Sequence, residues 1–388
     1  MGGLLTKPVT EKRSESGDCE RLGWSAVAMQ GWRPEMEDAH IAIGDMGEEF
    51  PGCGLFAVFD GHGGRAVSSF CKRRFADELR RLTQDAGRNA FGKNKAKKKS
   101  CGAKLEAESF DTILRDAFHG IDDQLRDKAN AKMLSRLVGK APGGGVQDLQ
   151  KRVAEAQQRQ QQGEQLKPDE QLELREMIGK LRMWEEAEKG ADFVPDSVGC
   201  TAIVVLLRKD DIIAANAGDS RAIICSAGKA VPLSFDHKPA SDVEKARITK
   251  AGGFLEDKGG VVRVNGNLNL SRAIGDLEYK KDEKLGPEEQ IICSTPDVLR
   301  RPLEPGADEF LVVACDGVWD VMSNQQACDF VRPRLLAGED VVSVGEALLD
   351  ACCTENPSLT QGLGTDNMSV IIVKLNDATA WREAAGGV

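Results

Sequence analysis

Apolar residues recur along the chain with two different periods, and the changes of period divide it. Gly23–Gln30, Ala39–Ile43 and the unbroken apolar run Leu55–Phe59 read as strands, the last of them buried. Gly63–Arg81 has helical spacing, with Val67, Phe70, Phe75 and Leu79 toward a core. Glu106–Lys128 repeats it with Leu114, Phe118, Ile121 and Leu125. After Pro195 short strands return: Thr201–Arg208, Asp211–Asn216, Arg221–Cys225 and Lys229–Pro232. Ser241–Ala251 reads as a helix ended by Gly252-Gly253, and Phe310–Cys315 as a buried strand. Gln325–Leu336 and Val341–Cys352 read as helices, and Met368–Leu375 as a closing strand. Strands early, in the middle and at the end, with pairs of helices between them, predict an α+β fold of two sheets with helices packed outside.

Two stretches interrupt this pattern. A Lys-rich loop at about 86–104, with Lys93, Lys95 and Lys97–Lys99, reads as solvated. Residues 130–195 are rich in Gln and Glu and hold Gly143-Gly144-Gly145 but no strand pattern. Within them Glu170–Ala187 carries Leu172, Met177, Ile178, Leu181 and Trp184. A helix there is expected to pack on the catalytic domain or a partner, without bearing catalysis. The expected organisation is a flexible leader over 1–20, one domain over 21–378 broken by the two insertions, and a tail over 379–388.

Composition narrows the function classes. In 388 residues, 52 Lys and Arg stand against 62 Asp and Glu, a net charge of −10, so no global footprint for nucleic acid exists. No apolar run is long enough for a membrane-spanning helix, and Met1–Glu20 has no secretory apolar segment. The 11 cysteines are scattered with no Cys-x-x-Cys pair, which argues for reduced thiols over a disulfide framework or zinc knuckle. Met1-Gly2-Gly3-Leu4-Leu5-Thr6 fits the N-myristoylation pattern, which makes Gly2 a candidate for acylation. One such chain holds a membrane only marginally. A cytoplasmic monomer is expected, with peripheral membrane contact if Gly2 is acylated, and a nuclear location stays open.

The chemistry lies in acids at strand ends. Glu37 and Asp38 sit between the Arg33 turn and a strand, and Asp60 follows Leu55–Phe59 and leads into Gly61-His62-Gly63-Gly64. Asp219 follows Ile212–Ala217, Asp316 follows Phe310–Cys315, and Asp366 precedes the last strand. One such acid alone is usually a turn residue or helix cap. Several together, each beside glycine, are better explained by convergence on hard cations, and oxygen-only ligands favour Mg²⁺ or Mn²⁺.

These segments occur in a recognisable order: Arg33…Met36-Glu37-Asp38-Ala39, Phe59-Asp60-Gly61-His62-Gly63-Gly64, Gly199-Cys200-Thr201-Ala202, Ala217-Gly218-Asp219-Ser220-Arg221, Asp236-His237-Lys238-Pro239, Leu270-Ser271-Arg272-Ala273-Ile274-Gly275-Asp276, Asp316-Gly317-Val318-Trp319-Asp320 and Asp366-Asn367-Met368-Ser369. From about Gly23 to Leu375 the chain resembles the protein phosphatase 2C family of metal-dependent serine/threonine phosphatases. The resemblance implies a β-sandwich of two antiparallel sheets flanked by helices, with two Mg²⁺ or Mn²⁺ ions at one edge and phosphoproteins as substrates. It implies that Asp60 bridges the ions, that Asp316 and Asp366 complete one shell, and that Glu37 with the Gly61 carbonyl completes the other. Asp219 matches a weaker third-metal position, Asp38 a supporting one, and Arg33 a phosphate-binding one. A hydroxide between the ions would attack phosphorus with no phosphoenzyme, and His62 is the candidate general acid. His40 and His119 read as structural, and His237 as stabilising a turn. Lys280, Lys281 and Lys284 read as a solvated loop that could meet acidic substrates. No metal position departs from the pattern, which favours an active enzyme over the alternative, a catalytically silent phosphoprotein-binding relative.

Overall fold

The computed structural model describes residues 4–91, 107–138, 145–162, 166–189 and 193–384. Gly2 and most of the Lys-rich loop lie outside the described residues. The chain begins with β1 (Val9–Asp18), β2 (Leu22–Gly31), β3 (Ala39–Ile43) and β4 (Gly54–His62). There follow α1 (Ala66–Phe91), α2 (Ala107–Arg126), α3 (Ala131–Leu137), α4 (Gly145–Gln161) and α5 (Pro168–Lys189). The middle holds β5 (Gly199–Leu207), β6 (Asp211–Ala217), β7 (Arg221–Ser226), β8 (Lys229–Pro232) and α6 (Asp242–Lys250). Next come β9 (Leu255–Lys258), β10 (Val261–Val264), β11 (Ile274–Gly275), β12 (Asp297–Pro302) and β13 (Asp308–Ala314). The chain closes with α7 (Asp316–Trp319), α8 (Asn324–Leu336), α9 (Val341–Cys352), β14 (Met368–Leu375) and α10 (Thr379–Ala384).

One six-stranded sheet has the order β1-β2-β14-β13-β7-β8. The other runs β12-β6-β5-β4-β3, with β11 paired to β5, and every pairing in both sheets is antiparallel. The apolar run in β4 serves two cores at once, because successive side chains point to opposite faces. Phe56 and Val58 enter the layer between the sheets, with Leu311, Val313, Ile371 and Val373 from the facing sheet. Leu55, Ala57 and Phe59 point outward and pack under α1 and α2 against Phe70, Phe75 and Phe118. On the far side Val312, Val370 and Ile372 pack under α8 and α9 against Val331, Val344 and Leu348. The result is four layers, helices–sheet–sheet–helices, as the sequence predicts. Strands covered on both faces read as continuous apolar runs, and each large side chain so buried contributes roughly 1.5–3 kcal/mol.

Three expectations need correction. Val9–Asp18 is not a flexible leader but an edge strand on β2. Its residues are almost all exposed, so it has no apolar alternation to read, and its charges suit an unpaired edge. Ser14 Oγ donates to Glu346 Oε1 at 2.7 Å, and Lys12 pairs with Asp350, tying the strand to α9. Second, α1 runs on to Phe91, into the stretch expected as the Lys-rich loop. Third, the sequence reading missed the β9–β10 hairpin and β12, which are short and mostly only partly buried.

The 130–195 insertion is helical over α3, α4 and α5. Met183 and Trp184 of α5 are buried in the core under α1, while Leu174 packs with Val153 and Leu166. The insertion therefore docks on the domain itself.

Candidate active site and metal centre

Antiparallel pairing gathers the acids. In one sheet β2 and β13 end, and β14 and β7 begin, at the same edge; in the other, β4 and β6 end where β3 and β5 begin. Arg33, Glu37 and Asp38 stand in the β2–β3 loop, Asp60 and Gly61 end β4, Asp219 turns between β6 and β7, Asp316 opens α7 and Asp366 precedes β14. Arg33, Glu37, Asp60, Gly61, His62, Asp219, Asp316 and Asp366 all line one cavity of about 530 Å³. Asp38 lies behind it, and oxygens of Asp38 and Asp60 and the Cys315 sulfur are within 4.8 Å of one another.

The electrostatics of this cluster are those of a cation trap. Burial first, then the charges of Asp316, Asp38 and Asp366, push the Asp60 carboxyl well above its ordinary value. Burial, then Asp219 and Asp366, does the same to Asp316. Asp38 is pushed up to about 7 by burial and by Asp366 and Glu37, against the opposing Ser369 hydrogen bond. Among the described residues its buried Oδ1 makes no hydrogen bond of ordinary geometry, with only the weakly donating Cys315 thiol nearby. Carboxylates that repel one another and leave an oxygen unsatisfied fit a missing positive charge. Oxygen dominates the donor set, since Glu37, Asp60, Asp219, Asp316 and Asp366 line the cavity, while burial and the same acids push the Cys315 thiol well above its ordinary value. The residues present therefore fit hard divalent cations.

Tethered cations already sit on the rim. Arg33 Nη2 donates to Asp366 Oδ2 at 2.6 Å, Lys238 Nζ to Asp219 Oδ2 at 2.6 Å, and Lys180 Nζ to Glu37 Oε1 at 2.7 Å. Asn367 locks the loop that carries Arg33 and Glu37. Its side chain accepts from Glu37 N at 2.8 Å and donates to the Gln30 and Glu35 carbonyls at 2.8 and 2.9 Å. Gly61 admits no side chain, since a Cβ there would lie 2.3 Å from the Glu37 carbonyl oxygen.

His62 Nε2–H donates to Asp276 Oδ2 at 2.8 Å. Burial alone would lower the His62 pKa, but Asp276, by charge and hydrogen bond, outweighs it and raises it above the ordinary value. Asp276 is itself buried, in the left-handed region at φ 48°. A non-glycine residue held there is a mark of functional constraint.

Sequence reasoning gave no role to Asp276, Lys238 or Lys180. Asp276 closes a motif already singled out, and its position directly after Gly275 was the available signal. Lys180 had none, because it lies in a polar insertion helix. Lys280 is corrected: it is buried, bonded to the Asp122 carboxylate and, at 2.7 Å, to the Ala273 carbonyl. Lys281 pairs with Asp196 at 2.7 Å, and Lys284 is exposed. His40 bonds Glu15 and His119 bonds Thr295, each at 2.8 Å. His237 accepts from Gly218 N at 3.2 Å and bonds Asp297 at 3.0 Å, which fixes the turn bearing Asp219.

Comparison with known proteins agrees with this architecture. The family model "Protein phosphatase 2C" matches residues 22–130 and 114–358. Probable protein phosphatase 2C 11 of rice (Oryza sativa subsp. japonica) is 36% identical over 379 residues, covering 96% of this chain and 91% of the relative. Protein phosphatase 2C homolog 2 of Schizosaccharomyces pombe is 37% identical over 377 residues, covering 96% of this chain and 78% of the relative. Among solved structures, a serine-threonine phosphatase 2C from Toxoplasma gondii superposes with a TM-score of 0.63 at 18% identity, over 94% of this chain and 99% of that one, so it shares the fold. The chain belongs to the protein phosphatase 2C family. It is thus a protein serine/threonine phosphatase.

Proposed function

We propose that this phosphatase is metal-dependent, hydrolysing phosphoserine and phosphothreonine in proteins at the cavity floored by Asp60 and Asp316. The observation that carries the reading is that pair of deep carboxyls, raised by burial and mutual repulsion, beside the orphaned Asp38 Oδ1. When bound, a pair of Mg²⁺ or Mn²⁺ ions supplies a nucleophilic hydroxide near neutral pH, so that phosphorus is attacked directly without a phosphoenzyme.

Asp60, Asp316, Asp366, Glu37 and the Gly61 carbonyl would hold the two ions, and Asp219 would hold a weaker third. Asp38 orients the oxygens around it. Arg33 exchanges Asp366 for the substrate phosphate, where its planar fork grips two oxygens. His62 delivers a proton to the departing serine or threonine oxygen, and Asp276 keeps that proton on the ring when cations are near. Peripheral membrane contact through an acylated Gly2, a monomeric state and a cytoplasmic location stay part of the proposal.

The deciding experiment is phosphate release from a phosphothreonine peptide with Mg²⁺ or Mn²⁺, then with EDTA, for the wild type and Asp60→Asn. Turnover abolished by both EDTA and the substitution supports the reading. Absence of turnover with either metal, in folded protein, would move the chain to the phosphoprotein-binding alternative.

A further inference from the structure

The insertion helix α5 has three faces, and two of them are spent on packing. Met183 and Trp184 enter the main core, and Leu174 packs in a small cluster with Val153 and Leu166, with Met177 and Ile178 against it. The third face carries Arg175, Gly179 and Arg182, at the four- and three-residue steps that share one side of a helix. It lines the same cavity as Asp60, Asp316 and Asp366. Arg175 and Arg182 are exposed.

Gly179 is the informative residue. A glycine inside a helix costs roughly 1 kcal/mol against alanine. No packing among the described residues explains it, since a Cβ at Gly179 would meet none of their atoms within 4 Å and the residue has no positive φ. The position opens onto the cavity, so leaving out the side chain keeps the helix backbone accessible where another chain can run alongside. At about 530 Å³ the cavity has room for more than a phosphate. Its α5 wall is cationic in a chain whose net charge is −10.

We propose that the Arg175–Gly179–Arg182 face of α5 is a docking surface for the substrate chain, selecting acidic residues next to the phosphorylated serine or threonine. The inference rests on the proposed function and adds a substrate class to it. The substrate backbone passes over Gly179 while its flanking carboxylates meet the two guanidinium groups. Basic flanks are repelled by the same charges.

The test uses the full chain with Mn²⁺ and two phosphothreonine peptides of equal length, one flanked by Asp and Glu, the other by Lys. An aryl phosphate reports the metal centre independently. The wild type should favour the acidic peptide by about tenfold in kcat/KM, and Arg175→Glu with Arg182→Glu should erase or invert that ratio. Gly179→Leu should raise KM for both peptides. Using a ratio within one preparation cancels differences in folding or metal loading. Aryl phosphate turnover with no peptide preference, or a ratio that the double charge reversal leaves unmoved, overturns the inference while the proposed function stands. No turnover of any substrate overturns both.

Discussion

Lys180 Nζ lies 2.7 Å from Glu37 Oε1, so a residue of the insertion helix touches an acid of the candidate metal centre. The pair is partly buried, with side-chain exposures of 27% and 12%. Lys180 offsets negative charge that a divalent cation would otherwise meet, and a cation using Glu37 must share or displace it. Lys180→Met should therefore tighten Mn²⁺ binding about fivefold, the equivalent of one partly exposed ion pair. Calorimetric titration reads this directly. Weaker or unchanged binding would contradict the competition. In the metal-free protein the same substitution should lower Tm, because the acids lose a compensating charge.

Burial alone would lower the His62 pKa, and Asp276, by charge and hydrogen bond, outweighs it and raises the pKa above its ordinary value. A general acid works only while protonated, and a raised pKa extends that range upward, so activity is lost as pH rises through the His62 pKa. Asp276→Asn removes the charge but keeps a hydrogen-bonding group. The alkaline limb of kcat should move to lower pH, with a smaller effect on KM. A limb that stays in place would assign it to another group.

Gly199 faces this pair. A Cβ there would lie 2.4 Å from Asp276 Oδ2 and 2.7 Å from His62 Nε2. Gly199→Ala should push the two apart and lower kcat by about 100-fold, the contribution of one positioned proton donor. The substitution sits at the start of β5, where Gly199 pairs with His62 and with Gly275. Circular dichroism and Tm should therefore accompany the kinetics, and a full-activity variant would remove His62 from the proposed role.

What the sequence made legible follows from how each signal arises. The strands Leu55–Phe59 and Phe310–Cys315 were readable because both faces meet apolar layers. The acids were readable because each stands at the end of such a strand, where a carboxylate is out of place unless something positive waits. β1 was not readable, since an exposed edge strand has the composition of a linker. Lys180, Arg175 and Arg182 were not either, because a cation on a polar helix looks merely solvated until tertiary packing sets that face along the cavity. The expected packing of the insertion on the catalytic domain carried no signal for Lys180 on Glu37, for the same reason.

The segment that ends in Asp276 is held by a buried charge network, which makes acid stability a further test. Arg272 donates to Glu244 Oε1 from Nε at 3.0 Å and Nη2 at 2.7 Å, and Arg247 donates to Oε2 at 2.6 Å. Arg247 also holds the Ser271 carbonyl at 2.6 Å, and Arg272 reaches Asp297 at 2.7 Å. Burial alone would raise the Glu244 carboxyl. The Arg272 hydrogen bond and the two guanidinium charges outweigh it and hold the pKa down to about 2, from 4.5. A depressed carboxyl stabilises the fold above its unfolded pKa and loses that contribution as pH falls through the folded one. The contribution is therefore full above about pH 5 and disappears between there and about pH 2, the folded value. Its size is about 3 kcal/mol, from the interval between the two pKa values. Glu244→Gln should cost about that much at pH 7, with Arg272 left partly unpaired. Below about pH 3 the difference from wild type should shrink. Urea unfolding of both proteins across this range measures it. A gap that stays constant with pH would show that Glu244 stabilises the fold by packing alone.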